Sequence, residues 1–202
     1  AGGPTRKARM PITAGGSYTN RANGINIGRG TSGTVELTVD GEGSAFWNNG
    51  GELYIANGGS TKADIAVKNG ARFHSGSNIN VAHAANSEVS VLVATNSTFE
   101  TTTDGRIRLA NGDSSKAAMS VDANSTVSAK YYVQLAVKSG SEASLEIGGG
   151  STVKITDGGS HGRLEMGEGA NSTSTLTIND GGLFQTAEYT RLAIGTGSTS
   201  TI

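Results

Sequence analysis

Apolar residues recur at regular intervals along the chain, in a motif of two apolar positions that flank a variable residue and precede a small one. Ile25-Asn26-Ile27-Gly28 is the first example. Further motifs begin at Leu53, Ile79, Ile107, Val133, Leu164 and Leu192, with spacings of 28, 26, 28, 26, 31 and 28 residues. This alternation predicts a short strand with one buried face that returns about every 28 residues.

Two more apolar segments follow each of the first six motifs. The second segment starts twelve residues after the motif and also alternates; its first residues are Leu37, Ile65, Val91, Met119, Leu145 and Leu176. The third segment contributes Phe46, Phe73, Phe99, Val127, Val153 and Phe184. Gly, Asn, Asp and Ser pairs separate the segments, and these residues favour turns. Each repeat therefore predicts three short strands joined by turns.

Three strands per repeat predict an all-β, single-domain parallel β-solenoid of about seven rungs over residues 9–202. Equivalent residues of successive rungs stack about 4.8 Å apart, and only this stacking buries the apolar edge of each rung. The second motif residues, from Ile27 to Ile194, form one predicted core column. The small residues that follow them predict a tight corner: Gly28, Ala56, Ala82, Ala110, Ala136, Gly167 and Gly195. A β-sandwich would not repeat one residue class at one offset in six successive units.

Composition and charge narrow the functional classes. With 31 glycines, no cysteine and 35 % hydrophobic residues, the chain would suggest disorder if its apolar residues were not periodic. A solenoid core one side chain deep needs few of them. The net charge of −1 gives no electrostatic reason to expect nucleic acid as a partner. Since no run approaches the ~18 apolar residues of a membrane helix, we expect no membrane insertion.

The two ends of the sequence are predicted to be incomplete rungs. Met10 and Ile12 match the second segment, and Tyr18 matches the third. The last motif starts at Leu192, so Ile202 falls directly before the position of Arg9. Copies could then join head to tail into an open homopolymer. The predicted subunit interface consists of Arg9, Met10, Ile12, Tyr18, Leu192, Ile194 and Ile202.

Residues 1–8 are predicted to form a basic arm, in which Arg6 and Lys7 contact the neighbouring subunit. Two alternatives to the filament remain open at this point. The sequence could be a fragment of a longer surface protein, or it could be a self-contained monomer with irregular ends.

Candidate catalytic and metal-binding residues do not cluster in the repeat. Glu36, Asp64 and Glu146 share an offset, but Ser90 and Ala118 occupy that offset in the rungs between them. Enzymes that hydrolyse glycans need two carboxylates at a defined separation. The histidines have three different offsets, so they do not predict a metal site; they are His74, His83 and His161. We therefore expect no catalytic residue, no metal and no cofactor, and a polysaccharide-degrading enzyme is the least favoured alternative.

Three further patterns carry less weight. The Gly-Gly pairs at Gly58 and Gly158 do not continue into the calcium-binding repeat G-G-x-G-x-D. Asn-Ser-Thr occurs at Asn96, Asn124 and Asn171, where a turn requirement explains it as well as glycosylation does. The outward aromatic residues are not expected to form a column, which favours a structural role over binding; they are Trp47, Tyr54, Tyr131, Tyr132 and Tyr189.

The segments 175–182 (TLTINDGG) and 191–197 (RLAIGTG) resemble autotransporter-passenger and autotransporter-associated β-strand repeats. The resemblance extends over about residues 8–202. It implies a right-handed β-helix that is extracellular or displayed on a bacterial surface, and no catalytic residue carries over. Two functions follow as hypotheses: a filament subunit whose partner is itself, or an adhesin that presents one long face to a glycan or a host surface.

Overall fold

The computed structural model describes residues 6–157 and 161–202, which form 22 β-strands and no helix. All strand pairs are parallel, and they build three sheets of eight, seven and seven strands. Each rung contributes one strand to each sheet in turn. The structure confirms the predicted all-β solenoid of about seven turns with three short strands per rung.

The strands of one sheet come from successive rungs. Sheet A contains β1 (Arg6–Thr13), β4 (Gly33–Asp40), β7 (Lys62–Lys68), β10 (Glu88–Ala94), β13 (Lys116–Val121), β16 (Glu142–Ile147), β19 (Thr173–Ile178) and β22 (Thr199–Thr201). Sheet B contains β2 (Ser17–Asn20), β5 (Ala45–Asn48), β8 (Arg72–Ser75), β11 (Thr98–Thr101), β14 (Thr126–Ala129), β17 (Thr152–Ile155) and β20 (Leu183–Gln185). Sheet C contains β3 (Ile25–Ile27), β6 (Leu53–Ile55), β9 (Ile79–Val81), β12 (Ile107–Leu109), β15 (Tyr132–Leu135), β18 (Arg163–Met166) and β21 (Thr190–Leu192).

The core consists of the vertical columns that the sequence predicts. In sheet A, the residues of one column are Cα partners from rung to rung: Met10, Leu37, Ile65, Val91, Met119, Leu145 and Leu176. In sheet B, the rings of Phe46, Phe73 and Phe99 stack nearly parallel, with centroids 4.5 and 4.7 Å apart. Because three sheets enclose one narrow core, a chain with few apolar residues still buries them.

A left-handed backbone conformation forms the corner after each strand of sheet C. The residues there have φ between 49° and 71°, and they are Gly28, Ala56, Ala82, Ala110, Ala136, Gly167 and Ala193. A small residue is needed because the corner is crowded; a Cβ on Gly28 would lie 2.8 Å from Cγ2 of Thr61. The predicted corner is confirmed in six rungs, whereas Ala193 replaces Gly195 in the last.

The alignment of the last rung differs from the prediction. Leu192 pairs with Met166, and Thr190 pairs with Leu164, so the last motif begins two residues earlier than expected. The spacing from Met166 to Leu192 is then 26 residues, as in the shorter rungs. Thr190 occupies the first motif position, which is apolar in the other rungs. The search for apolar pairs therefore missed the register of β21. Consequently Ile194 lies beyond the corner and outside the core column.

The new register also changes the predicted joint between copies. Thr201 pairs with Thr175, and Ile202 follows at the position of Leu176. Met10 occupies this same position in the first rung. The prediction that Ile202 falls directly before Arg9 is therefore wrong, because residues 199–202 repeat the positions of residues 7–10.

Residues 6–8 of the predicted arm belong to the first strand of sheet A. β1 already begins at Arg6, and residues 6–8 pair with residues 33–35 of β4. Lys7 and Arg9 both form ion pairs with Glu36, and the Arg9 Nε to Glu36 Oε2 distance is 2.7 Å. Lys7 and Arg9 alternate with Ala8 and Met10, as in the other strands, and Arg6 pairs with Gly33, so Arg6 and Lys7 belong to the sheet. Residues 1–5 lie outside the described residues.

The turn requirement accounts for the recurring Asn-Ser-Thr triplets. Asn96, Asn124 and Asn171 are exposed and have φ of 59°, 59° and 53°. Asparagine adopts this left-handed conformation more readily than most residues. The Gly-Gly pair at Gly158 lies outside the described residues.

Candidate functional site

The outer surface of sheet C carries long planar polar and aromatic side chains in every rung from the second to the seventh. Each strand of this sheet is only three or four residues long, and from β6 to β18 two buried residues flank one on the outer side; Thr190 and Leu192 are the equivalent pair in β21. We call this surface face C and define it by the residue ahead of each buried pair and the residue between them. Its members are Glu52, Tyr54, Asn78, Asn80, Arg106, Arg108, Tyr132, Gln134, Arg163, Glu165, Tyr189 and Arg191.

Arginine and tyrosine alternate along one column of face C. The Arg106 Cζ lies 4.6 Å from the ring centroid of Tyr132, and Arg163 lies 5.0 Å from the rings of both Tyr132 and Tyr189. These distances are typical of cation–π contacts. Four successive rungs thus form one stack of alternating guanidinium groups and rings.

This stack corrects the expectation that the outward aromatic residues form no column. Tyr132 and Tyr189 share a column and are two rungs apart, because Arg163 pairs with Tyr132 and lies between them. The prediction failed for two reasons. Arginine and tyrosine are not one residue class, and the wrong register of the last rung placed Tyr189 at another offset.

A chain of hydrogen bonds joins the second column of face C across four rungs. Arg108 donates from Nη1 to Asn80 Oδ1 and from Nε to Gln134 Oε1, both at 2.9 Å. Gln134 in turn donates from Nε2 to Glu165 Oε2 at 2.8 Å. Asn80 is fully buried and Gln134 is 7 % exposed. The amides are therefore fixed, and they hold the Arg108 guanidinium in one orientation.

Glu52 and His83 lie at the second and third rungs of the same surface. Asn78 and Asn80 donate to the two Glu52 oxygens at 2.8 and 2.9 Å. Burial raises the pKa of Glu52, but the hydrogen bonds to its carboxylate outweigh burial and lower that pKa overall. Burial lowers the pKa of His83, which favours its neutral form. Its ring lies 4.6 Å from that of Tyr54.

Two carboxylates of the sixth rung accept hydrogen bonds from one side-chain amide of the fifth rung. Gln134 Nε2 donates to Glu165 Oε2 at 2.8 Å and to Glu168 Oε2 at 3.0 Å. Burial, and then the neighbouring Glu165, raise the pKa of Glu168. The sequence comparison of offsets missed this pair, because Glu168 lies in the turn after β18 and reaches back to the neighbouring rung. Glu165 is 7 % exposed and also lies 3.6 Å from Arg191, which leaves it little room to react with a substrate.

The residues predicted for a subunit interface lie at opposite ends of the solenoid. The first four belong to the first rung, in β1 and β2, and they are Arg9, Met10, Ile12 and Tyr18. Leu192, Ile194 and Ile202 lie at the last strands and are exposed. The described structure brings neither group into contact with the other.

Sheet B carries a separate polar cluster whose members satisfy one another. Arg72 Nε and His74 Nδ1 contact Glu100 Oε1 at 2.8 and 2.9 Å. The ring of Trp47 lies 4.9 Å from both Arg72 Cζ and the His74 ring centroid. Burial raises the pKa of Glu100, but the bonds from His74 and Arg72 outweigh it and lower that pKa overall.

The outer surface of sheet A forms an open groove, and charged side chains along it pair with one another. Lys62 contacts Glu88 at 2.6 Å, and Lys116 contacts Glu142 at 2.8 Å. Short side chains lie beside this charged column, among them Ser90, Ala118 and Ser144. Face C differs from both other faces, because stacking and hydrogen bonds join its large planar side chains from rung to rung, while Tyr54, Arg106 and Arg108 stay partly exposed.

Within residues 6–157 and 161–202, no three His, Asp or Glu side chains converge to hold a metal ion. In the same ranges, no helix has the length and apolar character to cross a membrane.

Comparisons of the chain with protein-family models, curated proteins and solved structures give no match. The solenoid is consistent with the resemblance to autotransporter-associated repeats, and membership of that family stays a prediction. The geometry of face C therefore carries the functional interpretation.

Proposed function

We propose that this protein is an extracellular β-solenoid scaffold that binds an extended glycan along face C. The observation that carries this proposal is the continuous row of planar polar and aromatic groups from Glu52 to Arg191. Amide, carboxylate and guanidinium groups match the paired hydroxyls of sugars, and aromatic rings pack on the apolar faces of sugar rings. Because the row repeats with a step of about 4.8 Å, it suits a polymer better than a compact ligand.

The proposal includes display outside the cell, and no enzymatic activity. Its support is the resemblance to surface repeats and a composition dominated by glycine and small polar residues. The fixed amides of Asn80 and Gln134 also stabilise the solenoid. That role does not explain why Arg108 and Tyr54 stay partly exposed beside the buried amides.

Replacement of Tyr54 by alanine is expected to weaken glycan binding by about threefold to tenfold, because one aromatic contact is lost. The measurement is affinity electrophoresis of the folded protein in gels that contain a panel of neutral and acidic polysaccharides. Trp47→Ala is a matched control. Trp47 is also half-buried and packs on a histidine of the third rung, but it lies on sheet B.

Retardation of the native protein that Tyr54→Ala reduces and Trp47→Ala leaves unchanged would support the proposal. Equal effects of the two variants, or no retardation by any polysaccharide, would contradict it.

End-to-end association of copies is a second proposal for a fibrous function. The last rung has an unpaired edge, and its apolar side chains Leu183, Leu192 and Ile178 are 45 %, 48 % and 43 % exposed. A second copy, or further rungs of a longer chain, would bury them. We expect the 202-residue chain to form fibres one solenoid thick by negative-stain electron microscopy. Single particles at high protein concentration would argue against self-assembly.

A further inference from the structure

We propose that face C contains an anion-binding site centred on Arg106 and Arg108, which takes the carboxylate or sulfate group of an acidic glycan. This inference rests on the proposed function, and it names the class of glycan.

Neutral partners alone hold the Arg108 guanidinium. Its two hydrogen bonds go to the amide oxygens of Asn80 and Gln134, both at 2.9 Å. Among the described residues, no carboxylate oxygen lies within the 4.0 Å limit of an ion pair with Arg108. Burial and the nearby Arg106 lower the pKa of Arg108, and they outweigh the opposite effects of Glu52, Glu168 and Tyr54. A half-buried cation without a paired anion is costly, and a bound anion would offset that cost.

The fixed orientation of Arg108 leaves donors free. Arginine has five N–H groups, and the two amide oxygens use two of them. The remaining N–H groups keep the planar fork that matches a carboxylate or a sulfate. Arg106 lies two residues earlier in the same rung, where stacking on Tyr132 holds its guanidinium. The two arginines therefore present adjacent, positioned donors.

Other groups around the site favour an anion. The lowered pKa of His83 favours its neutral form, and Nδ1 of its ring lies 3.1 Å from Asn111 Nδ2. Because the amide nitrogen is a donor, His83 Nδ1 accepts and Nε2–H is free to donate. Lys138 is exposed and forms no ion pair within the described part of the chain. It acts electrostatically on His83 and Glu168, so it adds positive charge nearby.

The nearest acids, Glu52 and Glu168, act electrostatically on Arg108, but neither forms an ion pair with it. Glu52 accepts hydrogen bonds from Asn78 and Asn80, which direct its oxygens toward the amides. Glu168 has a raised pKa because of burial and Glu165, so it carries its charge less readily. On sheet A, by contrast, Lys62 and Lys116 each have a carboxylate partner in the next rung.

The test compares two double variants that remove the same charge. Arg106→Gln with Arg108→Gln alters the site, and Lys62→Gln with Lys116→Gln is the control on sheet A. The probes are alginate, a polyuronate; dextran sulfate; and dextran, which is neutral. Affinity electrophoresis gives the dissociation constants, and circular dichroism melting checks that each variant is folded.

We expect native protein to bind an acidic polymer more tightly than dextran, and added salt to weaken this binding. The arginine variant should lose at least about tenfold in affinity, because two charge-assisted contacts are removed. The lysine variant should change by less than about twofold. Preference for alginate or for dextran sulfate identifies the acidic group as a carboxylate or a sulfate.

Equal losses in both double variants would overturn the site, because they would indicate diffuse attraction to charge. Binding of dextran that the arginine variant leaves unchanged would also overturn it while leaving the proposed glycan binding intact. Absence of retardation by every polymer would overturn both proposals.

Discussion

Replacement of Phe73 by alanine should lower the free energy of unfolding by about 3–5 kcal/mol. Phe73 is fully buried in the middle of the aromatic stack, with neighbouring ring centroids at 4.5 and 4.7 Å. The loss of stability has two contributions. The mutant no longer gains free energy from burying the ring, and the cavity that remains costs further free energy because neighbouring atoms lose contacts. Phe46 and Phe99 cannot collapse into the cavity, because the parallel ladders of their own strands fix their positions.

Phe184→Ala is the matched control for this prediction. Phe184 occupies the same column in the last rung, where it is only partly buried. Its removal should cost less than half as much, since part of its surface already faces solvent. Urea unfolding monitored by circular dichroism gives both values. Similar losses for the two variants would show that the stack does not set stability as argued.

The second large effect concerns a glycine at the turn between sheets C and A. A Cβ on Gly58 would lie 2.6 Å from the carbonyl carbon of Gly30 in the previous rung. The two rungs would have to separate at this turn to remove the steric clash. The hydrogen bond from the Gly58 amide to the Gly28 carbonyl, at 2.9 Å, opposes that separation. Gly58→Ala should therefore destabilise the protein by about 1–3 kcal/mol, as overpacking does in cores.

Gly30 provides the control in the same turn of the neighbouring rung. A Cβ there meets no atom within 4 Å, and no left-handed φ is required. Gly30→Ala should be neutral or should stabilise by up to about 1 kcal/mol, because alanine restricts the unfolded chain. Thermal unfolding of both variants is the measurement. A loss of stability in Gly30→Ala as large as in Gly58→Ala would refute the steric argument.

The core of this fold could be predicted because burial in a solenoid imposes one residue class at one offset. Leu37, Ile65 and Val91 face the same interior, so their spacing alone identifies the column. The last rung failed because Thr190 is polar where Leu164 is apolar. In the last rung these positions are exposed, so burial does not require apolar residues there. Leu192 and Ile194 happen to match the spacing of the two apolar motif positions, although neither begins the motif.

Face C could not be predicted in the same way. Outward positions are free of the hydrophobic pattern, so the residue type there changes from one rung to the next. The contact between Arg106 and Tyr132 joins two different residue types with complementary chemistry. A search for the same residue type at the same offset does not detect such a contact. Glu168 lies in a turn, and its meeting with Gln134 depends on side-chain reach. The register of the strands was therefore needed before these groups could be brought together.

The direction of the hydrogen bonds in the three sheets has a mechanical consequence. They run along the solenoid axis, from one rung to the next, while the chain itself winds across that axis. A tensile load between the two ends would therefore act on one rung at a time, like a zipper opening, rather than shearing all rungs together. Each opened rung would release 26 to 31 residues of slack. The molecule would extend stepwise under force and absorb work over a long distance without losing the rungs that remain stacked.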